Sequence, residues 1–111
     1  MPKIVIKGNT PSKKNSKQII YKKGRVFIIS SKQHQEWQLK GASPIKANEL
    51  TLVFYDKTRH KADLTNRSES IMDILVDSGL IPDDNWFIIS KLHLEFGGID
   101  PLNPRCEIFY E

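Results

Sequence analysis

Residues 63–85 read DLTNRSESIMDILVDSGLIPDDN, and this stretch decides the fold more than any other part of the chain. Between its two acidic ends, apolar residues recur at the spacing of one helix face: Ile71, Ile74 and Leu75, flanked by Met72 and Val76. The spacing predicts an amphipathic helix over 66–78 that ends at Gly79. Asp63 precedes this helix, and the pair Asp83-Asp84 follows it.

Outward from the helix, short runs of β-branched and aromatic residues predict strands. The runs cover 3–7, 18–21, 25–29 and 49–55 before the helix, and 86–96 and 105–110 after it. The second and third runs, separated by Gly24, are typical of a hairpin, and residues 97–101 read as a turn. Ser30 or Ser31 is expected to cap a second, short helix through Leu39. The order predicts one α+β domain over 1–111, with two helices packed on a mixed sheet.

The composition excludes several classes of protein. No apolar run approaches the roughly 18 residues of a membrane helix, and residues 1–7 are too short and too interrupted for a secretion signal. The single cysteine, Cys106, excludes an internal disulfide and a cysteine-based zinc site. Trp37 and Trp86 are expected in the core. We therefore expect a cytoplasmic protein with no membrane partner and no organic cofactor.

Charge is distributed unevenly along the chain, whose net charge is +4. Nine of the seventeen basic residues lie within residues 1–35, and all thirteen acids lie from Glu36 onward. Such a division is expected when a basic surface binds a polyanion and an acidic site binds a metal ion. The alternative is a lysine-rich surface that is simply solvated.

The acids that flank the helix are candidates for holding a hard cation. Magnesium and manganese prefer oxygen ligands, and such an ion can activate water for attack on a phosphodiester. The two ends of the helix would share one site if the helix packs diagonally, or if a neighbouring subunit completes the site. Alternatively, Asp63 is a pre-helix residue that favours the helix N-terminus, and Asp83-Asp84 is an ordinary turn after Pro82.

Four motifs occur along the chain in a fixed order: TPSKKNS at 10–16, FIISS at 27–31, DLTN at 63–66 and GLIPDDN at 79–85. This order resembles the RusA family of Holliday junction resolvases, small phage- and prophage-associated endonucleases, over residues 3–94. The resemblance implies a homodimeric endonuclease, dependent on magnesium or manganese, that makes paired nicks across four-way DNA junctions in recombination and repair. It also implies that Asp63 is a metal ligand and Asp84 a catalytic acid, with Asp83 beside it. The metal ion is then expected to be held by Asp63 and Asp84 with help from Asp83.

Two departures from the family pattern concern the metal ligands. Thr65 stands where the family's usual D-L-D-N motif has its second acid, and Glu69 stands where many members carry a lysine. Because residues four apart face the same way on a helix, Glu69 is inferred to restore the missing charge as a catalytic metal ligand. The competing interpretation is a capping box, with Asn66 as the cap and Glu69 reaching back to it.

The basic residues suggest where DNA would bind. Arg67, Lys61 or a lysine of the N-terminal loop would replace the family's lysine that faces the phosphate. Contacts to backbone phosphates are expected from the N-terminal loop and hairpin: Lys13, Lys14, Asn15, Lys17, Lys22, Lys23 and Arg25. The alternatives to a junction-resolving enzyme are a non-catalytic basic module that binds branched DNA, and a nuclease of flaps or RNA.

Overall fold

The computed structural model describes residues 2–10, 17–22, 25–30, 35, 38–59 and 63–111, with 17–22 and 25–30 described as backbone. The elements along the chain are β1 (Lys3–Lys7), β2 (Lys17–Lys22), β3 (Arg25–Ser30), β4 (Glu49–Asp56), α1 (Leu64–Asp77), β5 (Lys91–Ile99) and β6 (Arg105–Tyr110). The helix predicted to reach Leu39 falls largely on residues outside this description.

One four-stranded mixed sheet organises the domain, in the order β1-β6-β4-β5. The β1–β6 and β6–β4 pairs are antiparallel, whereas β4 and β5 are parallel and are joined through α1. Strands β2 and β3 form a separate antiparallel hairpin. The predicted α+β domain with a mixed sheet is therefore confirmed, and in the described residues a single helix packs on it.

The helix α1 forms because its apolar stripe matches the core face of the sheet. Ile71, Ile74 and Leu75 are fully buried, and they cluster with side chains from all parts of the domain: Ile6, Leu50, Leu52, Phe54, Leu80, Ile81, Cys106 and Ile108. The helix ends at Asp77, and Gly79 follows with a φ of 80°, as predicted. Burial raises the pKa of the Cys106 thiol well above its ordinary value, so this thiol is unreactive in the folded protein.

The start of α1 differs from the predicted start. The helix begins at Leu64, and Asp63 occupies the N-cap position with a φ of −85° and a ψ of 125°. Asn66 therefore lies inside the first turn and does not cap the helix. The capping-box interpretation of Asn66 and Glu69 is wrong, because the helix starts two residues earlier than its apolar spacing indicated.

The strand predicted over 86–96 is also wrong in its first half. The carbonyl of Asn85 accepts the N–H groups of Ile88 and Ile89, and its side-chain oxygen accepts the N–H of Phe87. These hydrogen bonds close residues 85–89 into a turn, so that Trp86 is 78% exposed and does not lie in the predicted core. Trp37 lies outside the described residues.

Strand β5 continues through Gly97 and Gly98, which the sequence had assigned to a turn. A bulge between Phe54 and Tyr55 shifts the β4–β5 register at this point. A Cβ atom on Gly97 would lie 2.6 Å from Cζ of Tyr55 and 2.8 Å from Cγ1 of Val53. The guanidinium group of Arg105 also contacts the Tyr55 ring, with the Arg105 Cζ atom 3.8 Å from the ring centroid. Gly97 is therefore needed for the close approach of the Tyr55 ring to the strand.

Gly97→Ala is expected to lower the free energy of unfolding by about 1–3 kcal/mol, because the added methyl group overpacks against the Tyr55 ring. Denaturant titration measures this change. In a Tyr55→Ala background the same substitution should cost less, since the ring is gone. An equal cost in the two backgrounds would contradict this explanation of the glycine.

The two edge strands of the sheet, β1 and β5, differ in their hydrogen-bond partners on the outer side. On the β1 edge, the side-chain amide of Gln38 accepts the N–H of Lys7 and donates to its carbonyl, both at 2.7 Å. This amide takes the place of a neighbouring strand at Lys7, the last residue of β1. The β5 edge pairs with no strand in the described part of the chain. Among the described residues, no helix combines the length and apolar character that a membrane crossing requires.

Candidate metal and nucleic-acid site

Asp63 lies where the connection from β4 enters α1. Its main-chain carbonyl accepts the N–H of Arg67 at 3.1 Å, but its exposed carboxylate makes no capping hydrogen bond. The helix N-terminus carries partial positive charge, which makes it a favourable position for an acidic residue. The structure thus gives Asp63 the predicted pre-helix position and leaves its oxygens unused by the cap.

The acidic pair at the other end of the helix forms a turn in which the two carboxylates have different roles. Asp83 Oδ1 accepts the N–H of Asp84 at 2.8 Å, and Asp83 Oδ2 accepts the side-chain amide of Asn85 at 2.9 Å. The N–H of Asp84, which has the larger effect, and the amide of Asn85 both stabilise the charged form of Asp83 and thereby lower its pKa. Asp83 therefore shapes the turn, whereas Asp84 presents an exposed carboxylate.

Within one chain the two acidic positions lie far apart. Helix α1 has 14 residues, which corresponds to a length of about 21 Å. The helix runs from the end of β4 back to the start of β5. The two strands start at the same end of the sheet, since their first residues, Glu49 and Lys91, are register partners. Asp63 consequently lies at one end of the sheet and Asp84 at the other. In the described residues no three His, Cys, Asp or Glu side chains come together as a metal site.

A single protomer does not bring Asp63 and Asp84 together, so one chain does not form the shared site that diagonal packing of the helix was expected to give. A site completed by a neighbouring subunit stays a prediction. The alternative, a pre-helix acid at Asp63 and an ordinary turn at Asp83-Asp84, also fits these positions.

Thr65 and Glu69 are both exposed on α1. The carbonyl of Thr65 accepts the hydroxyl of Ser68 at 2.7 Å, within the helix. Glu69 follows Asp63 by six residues, which places it about 9 Å farther along the helix axis. Glu69 is not part of a capping box. Its role as a substitute ligand stays a prediction.

Arg67 is tied into the protein instead of being presented to solvent. Its guanidinium donates to the carbonyl of Thr10 and forms an ion pair with Asp56 at 3.4 Å, and its side chain is 17% exposed. A cation in the first turn of a helix is electrostatically unfavourable, and the Asp56 carboxylate offsets this. Arg67 thus fixes the start of α1 relative to the ends of β1 and β4, and thereby positions Asp63. A contact with phosphate would require Arg67 to exchange these partners.

Two features of this region were missed from the sequence. Asp56, at the end of β4, also accepts the N–H of Lys57 at 2.7 Å, and its partnership with Arg67 links positions that are eleven residues apart. No local pattern marks such a pair. Trp86 and Phe87 directly follow the acidic turn, with ring centroids 6.3 Å apart and both rings exposed. The signal for their exposure was Asn85, whose side chain favours a turn.

The predicted DNA-binding residues are only partly described. Lys13, Lys14, Asn15, Lys23 and Lys61 lie outside the described residues. Lys17, Lys22 and Arg25 lie on the β2–β3 hairpin, where Lys17 pairs with Ser30 and Lys22 with Arg25 in the backbone register. The predicted hairpin is confirmed, and the phosphate contacts stay a prediction.

No protein-family model and no curated protein matches this chain.

Proposed function

We propose that this protein is a magnesium-dependent, structure-selective DNA endonuclease of the RusA type. It would act as a homodimer that resolves four-way junctions by paired symmetric nicks in recombination and repair. The observation that carries the proposal is the exposure of two carboxylates at the motif positions. Asp63 and Asp84 are both exposed, and Asp63 makes no capping hydrogen bond in the helix that it precedes.

The donor chemistry of these residues fits magnesium or manganese. Both groups are carboxylates, which hard cations prefer, and magnesium commonly needs only one or two of them because it retains several waters. Asp83 supports Asp84 by shaping the turn, and Glu69 supplies further negative charge on the exposed side of α1. A site that contains both Asp63 and Asp84 requires two protomers, since the two residues lie at opposite ends of the sheet within one protomer.

The proposed reaction is hydrolysis of a phosphodiester bond. When bound, the metal ion supplies an activated water and neutralises charge on the phosphoryl group. Asp63 and Asp84 would hold the ion through their oxygens, and their negative charge weakens the binding of the strand's phosphate when the cation is absent. The 3′ oxygen leaves, so each nick carries a 5′ phosphate that a ligase can seal.

The basic residues of the chain have the positioning role in this proposal. The acid-free segment 1–35 carries nine of the basic residues, and phosphate contacts fix the orientation of DNA without reading its sequence. A dimer with two-fold symmetry suits a junction whose arms are related by an approximate two-fold axis.

A second candidate is a non-catalytic basic module that binds branched DNA. Two observations favour it: Thr65 replaces an acid of the family motif, and the described acids form no metal cluster within one chain. Under this alternative the protein would bind a four-way junction equally well in EDTA and would leave every strand intact.

The test is to incubate the protein with a synthetic four-way junction and with a linear duplex of matched sequence, each with magnesium or with EDTA. We expect paired nicks in the junction with magnesium only, and no cleavage of the duplex. Junction binding without nicks in magnesium and manganese would overturn the proposed activity in favour of the binding module. Equal cleavage of the linear duplex would overturn the junction preference.

A further inference from the structure

Two aromatic side chains lie on the surface directly after the acidic turn. Trp86 is 78% exposed and Phe87 is 86% exposed, although side chains of these types are usually buried for most of their surface. The rings meet at an angle of 65° in an edge-to-face arrangement, with their centroids 6.3 Å apart. Because one ring presents only its edge to the other, broad ring faces stay open to solvent. An open aromatic face of this kind is available for stacking.

Hydrogen bonds hold the backbone that carries the two rings. The side-chain oxygen of Asn85 accepts the N–H of Phe87 at 3.0 Å, and the Asn85 carbonyl accepts the N–H groups of Ile88 and Ile89. Ile89 is buried in the core and anchors the end of the turn. Binding residues that are held in place before binding lose less conformational freedom when a ligand arrives. The turn therefore presents Trp86 and Phe87 at the surface in a form suited to binding.

Two exposed lysines belong to chain segments that adjoin this turn. Lys91 is the first residue of β5, which follows the turn directly. Lys46 belongs to the segment 45–48, whose two ends are bound on either side of the turn. The bonds are those from the Ile45 N–H to the Leu80 carbonyl at 2.8 Å and from the Ser90 N–H to the Asn48 carbonyl at 2.9 Å. Aromatic rings combined with cationic side chains bind single-stranded nucleic acid, because the bases stack and the phosphates are neutralised.

The charges next to the rings favour a nucleic acid over a protein as the occupant. The buried centres of protein–protein interfaces are depleted of charged residues, whereas Asp83 and Asp84 almost directly precede Trp86. In the proposed function, which this inference deepens and on which it rests, Asp84 holds a cation beside a phosphate. A base stacked on Trp86 then belongs to a nucleotide close to that phosphate.

We propose that Trp86 and Phe87 form a stacking platform for an unpaired base of the DNA substrate. The platform takes up a base that is unstacked at the branch point and thereby holds the neighbouring phosphate at Asp84. Because every base has an aromatic face, such stacking does not read the sequence of the DNA. It selects by structure instead, since a fully paired linear duplex offers no free base face along its length. The platform thus gives a structure-selective nuclease a means of recognising its cleavage point.

The platform is tested by the binding of two single-stranded probes, measured by fluorescence anisotropy in EDTA at low salt. One probe is an oligothymidylate, and the other is an abasic oligomer of the same length, so that both carry the same phosphate charge. The wild-type protein should bind the oligothymidylate at least about fivefold more tightly, which is the lower end of the effect of stacking on one base. Trp86→Ala/Phe87→Ala should bind both probes alike, because only a stacked base distinguishes them. Equal binding of the two probes by the wild-type protein, or a preference that the double variant keeps in full, would overturn the proposal.

The matched control is Leu102→Ala, since Leu102 is 97% exposed and lies in the turn after β5, at the other end of the sheet. This control should keep the wild-type preference. Trp86→Phe retains a ring and should keep most of the preference, so that loss of the ring is separated from loss of the fold. Light scattering measures the assembly of each variant. A double variant that changes its mass but keeps the preference for oligothymidylate would assign the rings to a protein interface and overturn the proposal.

The stacking platform and the nuclease can fail separately, because binding in EDTA does not depend on cleavage. A protein that shows the predicted probe preference but leaves four-way junctions uncut in magnesium would refute the nuclease and support the platform. A protein that nicks junctions, and whose Trp86→Ala/Phe87→Ala variant nicks them and binds both probes as the wild type does, would refute the platform and leave the nuclease intact.

Discussion

Asp63→Asn and Asp84→Asn should each abolish cleavage of a four-way junction while preserving or tightening its binding. Loss of groups that merely support metal ligands typically costs about 10–100-fold, so the loss of a ligand itself should exceed about 100-fold in the rate of nicking. Binding should improve because each change removes a negative charge beside a phosphate. At 4 Å in water such a repulsion is about 1 kcal/mol, which corresponds to about a fivefold change in affinity.

The control for this pair is Asp77→Asn, which removes the same charge at the last residue of α1. Asp77 lies outside the motifs and should leave the nicking rate unchanged. Single-turnover cleavage and a gel-shift titration on the same junction separate the two effects. Wild-type nicking by Asp63→Asn or by Asp84→Asn would show that the metal ligands have been assigned wrongly.

Much of the fold could be predicted from the sequence, because local periodicity determines it. The strands at 3–7, 49–56 and 105–110 alternate or carry β-branched residues, and α1 carries one apolar stripe. Each of these elements buries the side chains that its own spacing marks, as Ile6, Leu52 and Ile74 illustrate. The hairpin was likewise readable from the glycine between two β-rich runs.

The strand errors occurred where a local hydrogen bond or a close contact with a distant residue overrides the preference of the local sequence. The run WFII at 86–89 has the composition of a strand, but Asn85 closes it into a turn through its carbonyl and its side chain. Gly97 and Gly98 have the composition of a turn, but β5 continues through them beside the Tyr55 ring. Composition alone cannot distinguish a strand from a turn in these two segments, since the contacts made by Asn85 and by the Tyr55 ring determine the result.

The candidate site shows a different gap between sequence and structure. The motifs identify Asp63 and Asp84 as residues of interest, but the distance between them depends on the direction of α1 relative to β4 and β5. Because β5 runs parallel to β4, the return helix must carry the chain the full length of the sheet, and it separates the two acids. The tie between Arg67 and Asp56, which fixes the start of the helix, has no signature in the sequence.

The separation of the acids gives a direct way to ask whether the site is shared between subunits. In a shared site, each active centre takes Asp63 from one protomer and Asp84 from the other. Mixing Asp63→Asn protein with Asp84→Asn protein then creates dimers in which one centre has lost both acids and the other has both. A site built within one chain gains nothing from mixing, because every chain carries one of the substitutions.

The most direct measurement is therefore nicking of a four-way junction in magnesium by the two variants, alone and after subunit exchange. Random exchange makes about half of the dimers mixed, which restores about a quarter of the wild-type number of intact centres. We predict that each variant alone is inactive and that the mixture nicks single strands at about that fraction of the wild-type rate. Mixing Asp63→Asn with an Asp63→Asn/Asp84→Asn protein should restore nothing. If the wild-type protein cuts the junction and the first mixture stays as inactive as its components, Asp63 and Asp84 do not meet across the dimer, and this account of the site is contradicted.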